Sequence, residues 1–201
     1  MVNGKSRDSL RKMTGLSIFT ALIAVLTVLC TFVRFGPFSI TLALAPIIIG
    51  GAMYGMKAGA YLGGVFGFIV QLTGVFGWDG GTIMLLMGQN ALGCIAICIG
   101  KGIGAGWAAA AVYRAFGEKH PRFAVILASI VCPVVNTGLF IAGMMLFFMS
   151  TLEGWAGGMN VLYFAIIGLT GVNFLVELAV NLLLSSTVTG IIRYGKGRRP
   201  L

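Results

Sequence analysis

The sequence predicts an all-α polytopic membrane protein, a six-transmembrane-helix bundle with both termini cytoplasmic. Three observations carry that prediction. Hydrophobic residues make up 58% of the 201-residue chain and charged residues 9%, with a mean hydropathy of +1.00; a soluble domain is about 45–50% apolar and about 25% charged. The apolar residues gather into runs near the roughly 20 residues that cross a bilayer as a helix. On a six-span count, twelve of the fourteen Lys and Arg residues fall on one side, which the positive-inside rule makes cytoplasmic. The chain therefore reads as one transmembrane domain, 1–201, with a basic tail at 1–13, the bundle at 14–193 and a second basic tail at 194–201. No separate nucleotide-binding or catalytic domain fits, and the localisation expected is the plasma membrane.

The first span is expected at 14–33. Its basic start resembles a signal peptide, but the apolar run continues to Val33, and the small-x-small "ALA" at 43–45 is followed by Pro46, so a retained helix is expected. A turn, "RFGPFS", leads to a second span at 39–55, and the short connection "YGMKAG" to a third at 58–76. The segment "GWDGGTIMLLMGQN" is polar at both ends, and a lid, a re-entrant piece or an early turn of the next helix all remain open. The fourth span is expected at 91–115, the fifth at 122–149 and the sixth at 161–193, after a linker "STLEGWAGGMN".

Lys5, Arg7, Arg11, Lys12, Lys57, Arg114, Lys119, Arg122, Arg193, Lys196, Arg198 and Arg199 mark the cytoplasmic face, and Arg34, Asp79 and Glu153 the other. The net charge of +9 is thus a topology signal, and no nucleic acid is expected as a partner. Glycine recurs every fourth residue at 51, 55, 59, 63 and 67, and again at 100, 102, 104 and 106. Such residues let membrane helices approach closely or unwind beside a cavity.

The stretch "NFLVELAVN" sets Asn173, Glu177 and Asn181 on one helical face, because i, i+4 neighbours lie a turn apart. With Gln71, Lys101 and Asn136 they are the polar groups at membrane depth, where ionisable side chains face a bundle interior or a wet path. Lys101 and Glu177 are opposite in sign; a structural ion pair and contacts to a solute are both open. Phe35, Phe38, Phe76, Trp78, Trp155 and Tyr163 suit either a solute lid or an interfacial belt. Helix 1 carries small residues at Ser17 and Ala21 and at Thr20 and Ala24, which either pack internally or dock another membrane subunit.

Cys30, Cys94, Cys98 and Cys132 lie in apolar runs and read as small core residues. With a single histidine, His120, neither a metal site nor a Ser/His/Asp set is expected, and no nucleotide-binding loop is present. An enzyme is not expected. A stand-alone secondary transporter or channel, and a scaffold without solute, remain as alternatives.

The blocks "RFGPFSITLALAPIIIGGAMYGMKAGAYLGGVFGFIV" (34–70), "ILASIVCPVVNTGLFIAGMMLFF" (126–148) and "VNFLVELAVNLLL" (172–184) resemble the substrate-binding S components of energy-coupling factor (ECF) vitamin transporters, particularly the riboflavin-transporter-like branch. The resemblance implies a six-helix protein that binds a vitamin from outside and delivers it by toppling in the membrane. It also implies a transmembrane T component and two cytoplasmic ATPases as partners, which use ATP, while this chain binds no cofactor itself. It places the solute near Asn136, Asn173, Glu177 and Lys101, with Trp78 and Trp155 in the outer loops. Docking falls to helix 1, where Ser17-x-x-x-Ala21 and Thr20-x-x-x-Ala24 keep the small-residue character of the family's Ala-x-x-x-Ala. Pantothenate is the solute favoured, ahead of riboflavin or a queuosine-like deazapurine.

Overall fold

The computed structural model describes residues 4–32 and 41–197. Arg34, Phe35, Phe38, Arg198 and Arg199 lie outside the described residues, as do the side chains of Lys5, Arg7, Arg193 and Lys196. Among the described residues eight α-helices occur in order: α1 (Gly4–Thr31), α2 (Leu44–Tyr54), α3 (Met56–Val75), α4 (Thr82–Phe116), α5 (Pro121–Phe147), α6 (Met149–Ala156), α7 (Val161–Tyr163) and α8 (Gly171–Gly197), with a π-helical turn at Phe164–Leu169 before α8. Among the described residues there is no strand.

Four of these helices are long and apolar enough to cross a membrane, in α1, α3, α4 and α5. The pair Met149–Ala156 and Val161–Leu169, bent by 89°, makes a fifth if taken as one span. The expectation of six differs at two places. The second span shrinks to the 11 residues of α2, which rise about 16 Å against a hydrocarbon core of about 30 Å. The sixth, expected as one helix over 161–193, breaks at the π turn and Thr170, leaving a shorter apolar stretch at Gly171–Ser185.

Local chemistry explains the boundaries. α2 and α3 are separated by Gly55 alone, whose φ of +92° suits a residue without a Cβ. The expected six-residue connection is therefore a joint of one residue. α4 starts earlier than the expected 91, because Asp79 accepts the backbone N–H groups of Gly81 (3.0 Å) and Ile83 (2.8 Å) and caps a helix there. The expected start survives as a break. Asn90 leaves the helical region (φ −152°, ψ 92°) and its Oδ1 accepts the N–H of Gly93 at 2.9 Å, recapping the helix on its C-terminal side. The expected linker after the fifth span is largely the helix α6, tied to α4 by the Thr151 hydroxyl donating to Gln89.

The glycine periodicity has a definite use. A Cβ on Gly63 would overlap the carbonyl of Gly102, and one on Gly102 would overlap that of Gly63. Gly59 and Gly106 exclude each other in the same way, and Gly67 meets the carbonyl of Cys98. α3 and α4 thus run antiparallel with their backbones in contact. Two apolar clusters fill the rest. One gathers Ile23, Leu44, Ile47, Leu62, Val125 and Ile192, and the other Ile83, Leu86, Ile97, Phe140, Met144 and Leu152. Val70 packs against both.

Overpacking a tight interface costs about 1–3 kcal/mol, whereas an open helical glycine replaced by alanine gains up to about 1 kcal/mol. Gly63→Ala should therefore lower the unfolding temperature in detergent. Gly100→Ala, where nothing lies within 4 Å of the added carbon, should leave it unchanged or raised. Equal shifts in the two variants would mean that the α3–α4 contact does not hold the fold.

Candidate functional site

A cavity of about 90 Å³ opens where helix ends and helix breaks meet, several times the space one water needs. Four elements each present one stripe to it. α3 contributes Phe66, Val70 and Thr73; α4 contributes Cys94, Ile97, Cys98 and Lys101; α5 contributes Asn136, Thr137 and Phe140; α8 contributes Asn173, Phe174 and Glu177. Each stripe follows the i, i+3, i+4 spacing that places side chains on one helical face. Thr31, Thr41, Asp79 and Thr170 stand at the helix termini around them.

Lys101, Asn136, Asn173 and Glu177 therefore come together on one cavity, from three helices. Glu177 is 5% exposed and Asn136 also 5%. An ionised side chain at such depth requires partners. Thr41, just ahead of α2, supplies them, hydrogen-bonding the Glu177 carboxylate through its hydroxyl and its backbone N–H. Lys101 lies close enough to act electrostatically on Glu177. Among the described residues, however, no Lys or Arg nitrogen comes within 4.0 Å of a carboxylate oxygen. The Lys101 ammonium instead sits over the Phe140 ring, 4.9 Å from its centroid, a cation–π contact. Asn136 has no hydrogen-bond partner for its buried Oδ1. A buried amide oxygen left so is uncommon, and this one borders an open volume.

Other candidates lie elsewhere. Asn181 turns back to its own helix, its Nδ2 donating to the Glu177 carbonyl at 2.9 Å. Gln71 bridges α3 and α4, its Nε2 donating to the Met87 sulfur (2.9 Å) while its Oε1 accepts from the Cys94 thiol (3.7 Å). Trp78 and Trp155 do not line the cavity. Trp78 stacks between Phe32 and Phe76, with ring centroids at 6.0 and 5.8 Å. Trp155 packs against the cluster around Phe140 and Met144. On α1, Ser17 and Ala21 are exposed, whereas Thr20 and Ala24 are half-buried and the Thr20 hydroxyl is enclosed.

Thr41 and the π turn are features that sequence reasoning misses. Thr41 carries no signal beyond being a hydroxyl at the head of an apolar run. The π turn is where the Thr170 hydroxyl donates to the carbonyls of Ala165 (3.1 Å) and Ile166 (3.3 Å), satisfying groups that a regular helix would pair itself.

Residues 11–189 match the family described as ECF transporter, substrate-specific component. No curated protein matches the chain.

Replacing Thr41 by valine removes the hydroxyl on Glu177, and a buried charged group losing a donor costs about 1–3 kcal/mol. Thr41→Val should lower the unfolding temperature of the solute-free protein, and Thr41→Ser should restore it. Indistinguishable melting curves for all three proteins would remove Thr41 as the partner of the carboxylate.

Proposed function

The chain belongs to the ECF transporter substrate-specific component family, and from that premise we propose that its cavity captures a small water-soluble vitamin outside the cell. In this reading it passes the solute inward together with a T component and two cytoplasmic ATPases. The bundle crosses the plasma membrane six times, with both termini cytoplasmic, α2 and α8 completing the count as short or broken crossings. What carries the proposal is the convergence of Lys101, Asn136, Asn173 and Glu177 on one largely apolar cavity. A few fixed polar groups in apolar walls are what orients a small ligand.

The polar groups also narrow the solute. Lys101 has an aromatic ring beneath it but, among the described residues, no carboxylate within ion-pair distance, so an anionic group on the ligand suits it. Asn136 and Glu177 accept hydrogen bonds from hydroxyl or amide donors. A carboxylate at one end and donors along the body describe pantothenate. Riboflavin or a queuosine-like base would engage the asparagines and Glu177 but leave the Lys101 ammonium without an anion.

For docking, the exposed Ser17 and Ala21 are favoured over the half-buried Thr20 and Ala24. The spanning window of α1 is only 17% buried within the chain, the least of the long helices, which leaves a small-residue face for a partner helix.

Calorimetry on the purified protein tests the site. Glu177→Ala should weaken pantothenate binding at least tenfold while the variant still assembles with its partners. Lys101→Met should weaken it by roughly 10- to 100-fold, the worth of a hydrogen bond to a charged group. Unchanged affinity in both variants would remove these side chains from the site, and riboflavin binding in place of pantothenate would reassign the solute.

Ala21→Leu should reduce co-purification with the T component and leave solute affinity intact. Undiminished co-purification would place docking on another face. Uptake that persists without the ATPases would favour a stand-alone transporter.

A further inference from the structure

Two of the cavity's wall residues have no part in the solute reading. Cys94 and Cys98 stand four residues apart on one face of α4, are 1% and 6% exposed, and both border the cavity. Both are free thiols, and at i and i+4 of one helix their side chains are neighbours a turn apart. Cys94 also donates to Gln71 at 3.7 Å. The remaining cysteines, Cys30 and Cys132, are buried without bordering the cavity.

Geometry decides what such a pair can do. Cβ atoms at i and i+4 of a helix are about 5–6 Å apart, whereas a disulfide needs about 3.5–4.5 Å. Direct S–S closure would therefore require α4 to unwind at a point where its backbone is pressed against Gly67 of α3. A single atom inserted between the two sulfurs lengthens the bridge and removes that obstacle. Electrostatics narrows the choice of atom. The Lys101 ammonium lies on the same wall, one turn beyond Cys98, and the Asp79 and Glu177 carboxylates border the same cavity, so charges of both signs already surround the thiols and an ion of either sign meets a like charge. The apolar surroundings disfavour any adduct that carries net charge. A neutral, thiophilic, trivalent metalloid meets both conditions.

We propose that Cys94 and Cys98 form a chelating dithiol in the cavity wall that captures neutral trivalent arsenic, arsenous acid being the simplest case. Two As–S bonds form and two As–O bonds break. Each thiol proton leaves with a hydroxyl group as water, and arsenic stays trivalent with one hydroxyl retained. The product is uncharged, and it protrudes into the volume that the solute would occupy. This capture depends on the two thiols and the cavity, and it holds whichever solute the protein takes.

The test is native intact-mass spectrometry of the full-length protein in detergent after exposure to arsenite. The folded wild-type chain should take up a single arsenic, released by an excess of a small dithiol. Cys94→Ala and Cys98→Ala should each reduce the adduct at least tenfold, whereas the double variant Cys30→Ala with Cys132→Ala should retain it. Serine versions, with circular dichroism on every variant, separate loss of the thiol from loss of the fold. Treatment of the wild type with hydrogen peroxide should produce no intramolecular disulfide. The proposal is overturned if the folded wild type takes up no arsenic while the unfolded chain does. It is equally overturned if the adduct survives in folded single variants, or if peroxide closes the Cys94–Cys98 disulfide.

Discussion

The backbone contact between α3 and α4 is the constraint on which the rest depends. Gly59, Gly63 and Gly67 on one helix face Gly106, Gly102 and Cys98 on the other, so closely that a single methyl group would collide with a carbonyl. In a bilayer the lipid tails offer no hydrophobic gain from burying one apolar helix on another, so association rests on fit and dispersion. With the α3-facing side of α4 fixed, its neighbouring face, carrying Cys94, Ile97, Cys98 and Lys101, is committed to the cavity. The residues of α4 that pack and those that line the cavity are thus set by a single helix rotation.

The second requirement is to keep charge at depth without letting it collapse. A direct Lys101–Glu177 pair would fill the site with itself, and buried pairs often fail to repay their desolvation. The protein avoids that arrangement by giving each group its own partner. Thr41 holds the carboxylate and the Phe140 ring holds the ammonium. Opposite charges therefore stay near each other but unjoined, and the Asn136 amide oxygen completes a set of groups whose bonding capacity is directed at the space between them.

Much of this is legible in the sequence because it is periodic. The four-residue glycine repeat foretells a close helix contact, and the Asn173–Glu177 spacing foretells a shared polar face. Periodicity gives direction only, however. It cannot tell that Asn181 bonds back to the Glu177 carbonyl or that Gln71 spends its amide on Met87 and Cys94. Trp78 and Trp155 are harder still, since aromatic residues in connections take their places from whichever side chains they stack on. The helix boundaries fail for a related reason. Hydropathy averages over a window, so it misses a one-residue joint at Gly55, a cap made by Asp79 and a break at Asn90, each settled by a few backbone hydrogen bonds.

Several helix ends and breaks border the cavity, at Thr31, Thr41, Asp79 and Thr170, and the placement has a physical cause. A continuous helix consumes its own N–H and C=O groups and offers a solute only side chains. Where the helix stops or changes pitch, backbone groups are freed, and in an apolar medium they must be satisfied locally. Asp79, Asn90 and Thr170 each do this with a side chain, and Thr41, in the turn before α2, turns its spare N–H and hydroxyl to the Glu177 carboxylate. Long regular helices would pack better here, but they would bring no such termini to Glu177. The short α2 and the broken approach to α8 are accordingly part of how the site is made, and the tight α3–α4 contact is what lets the rest of the bundle tolerate them.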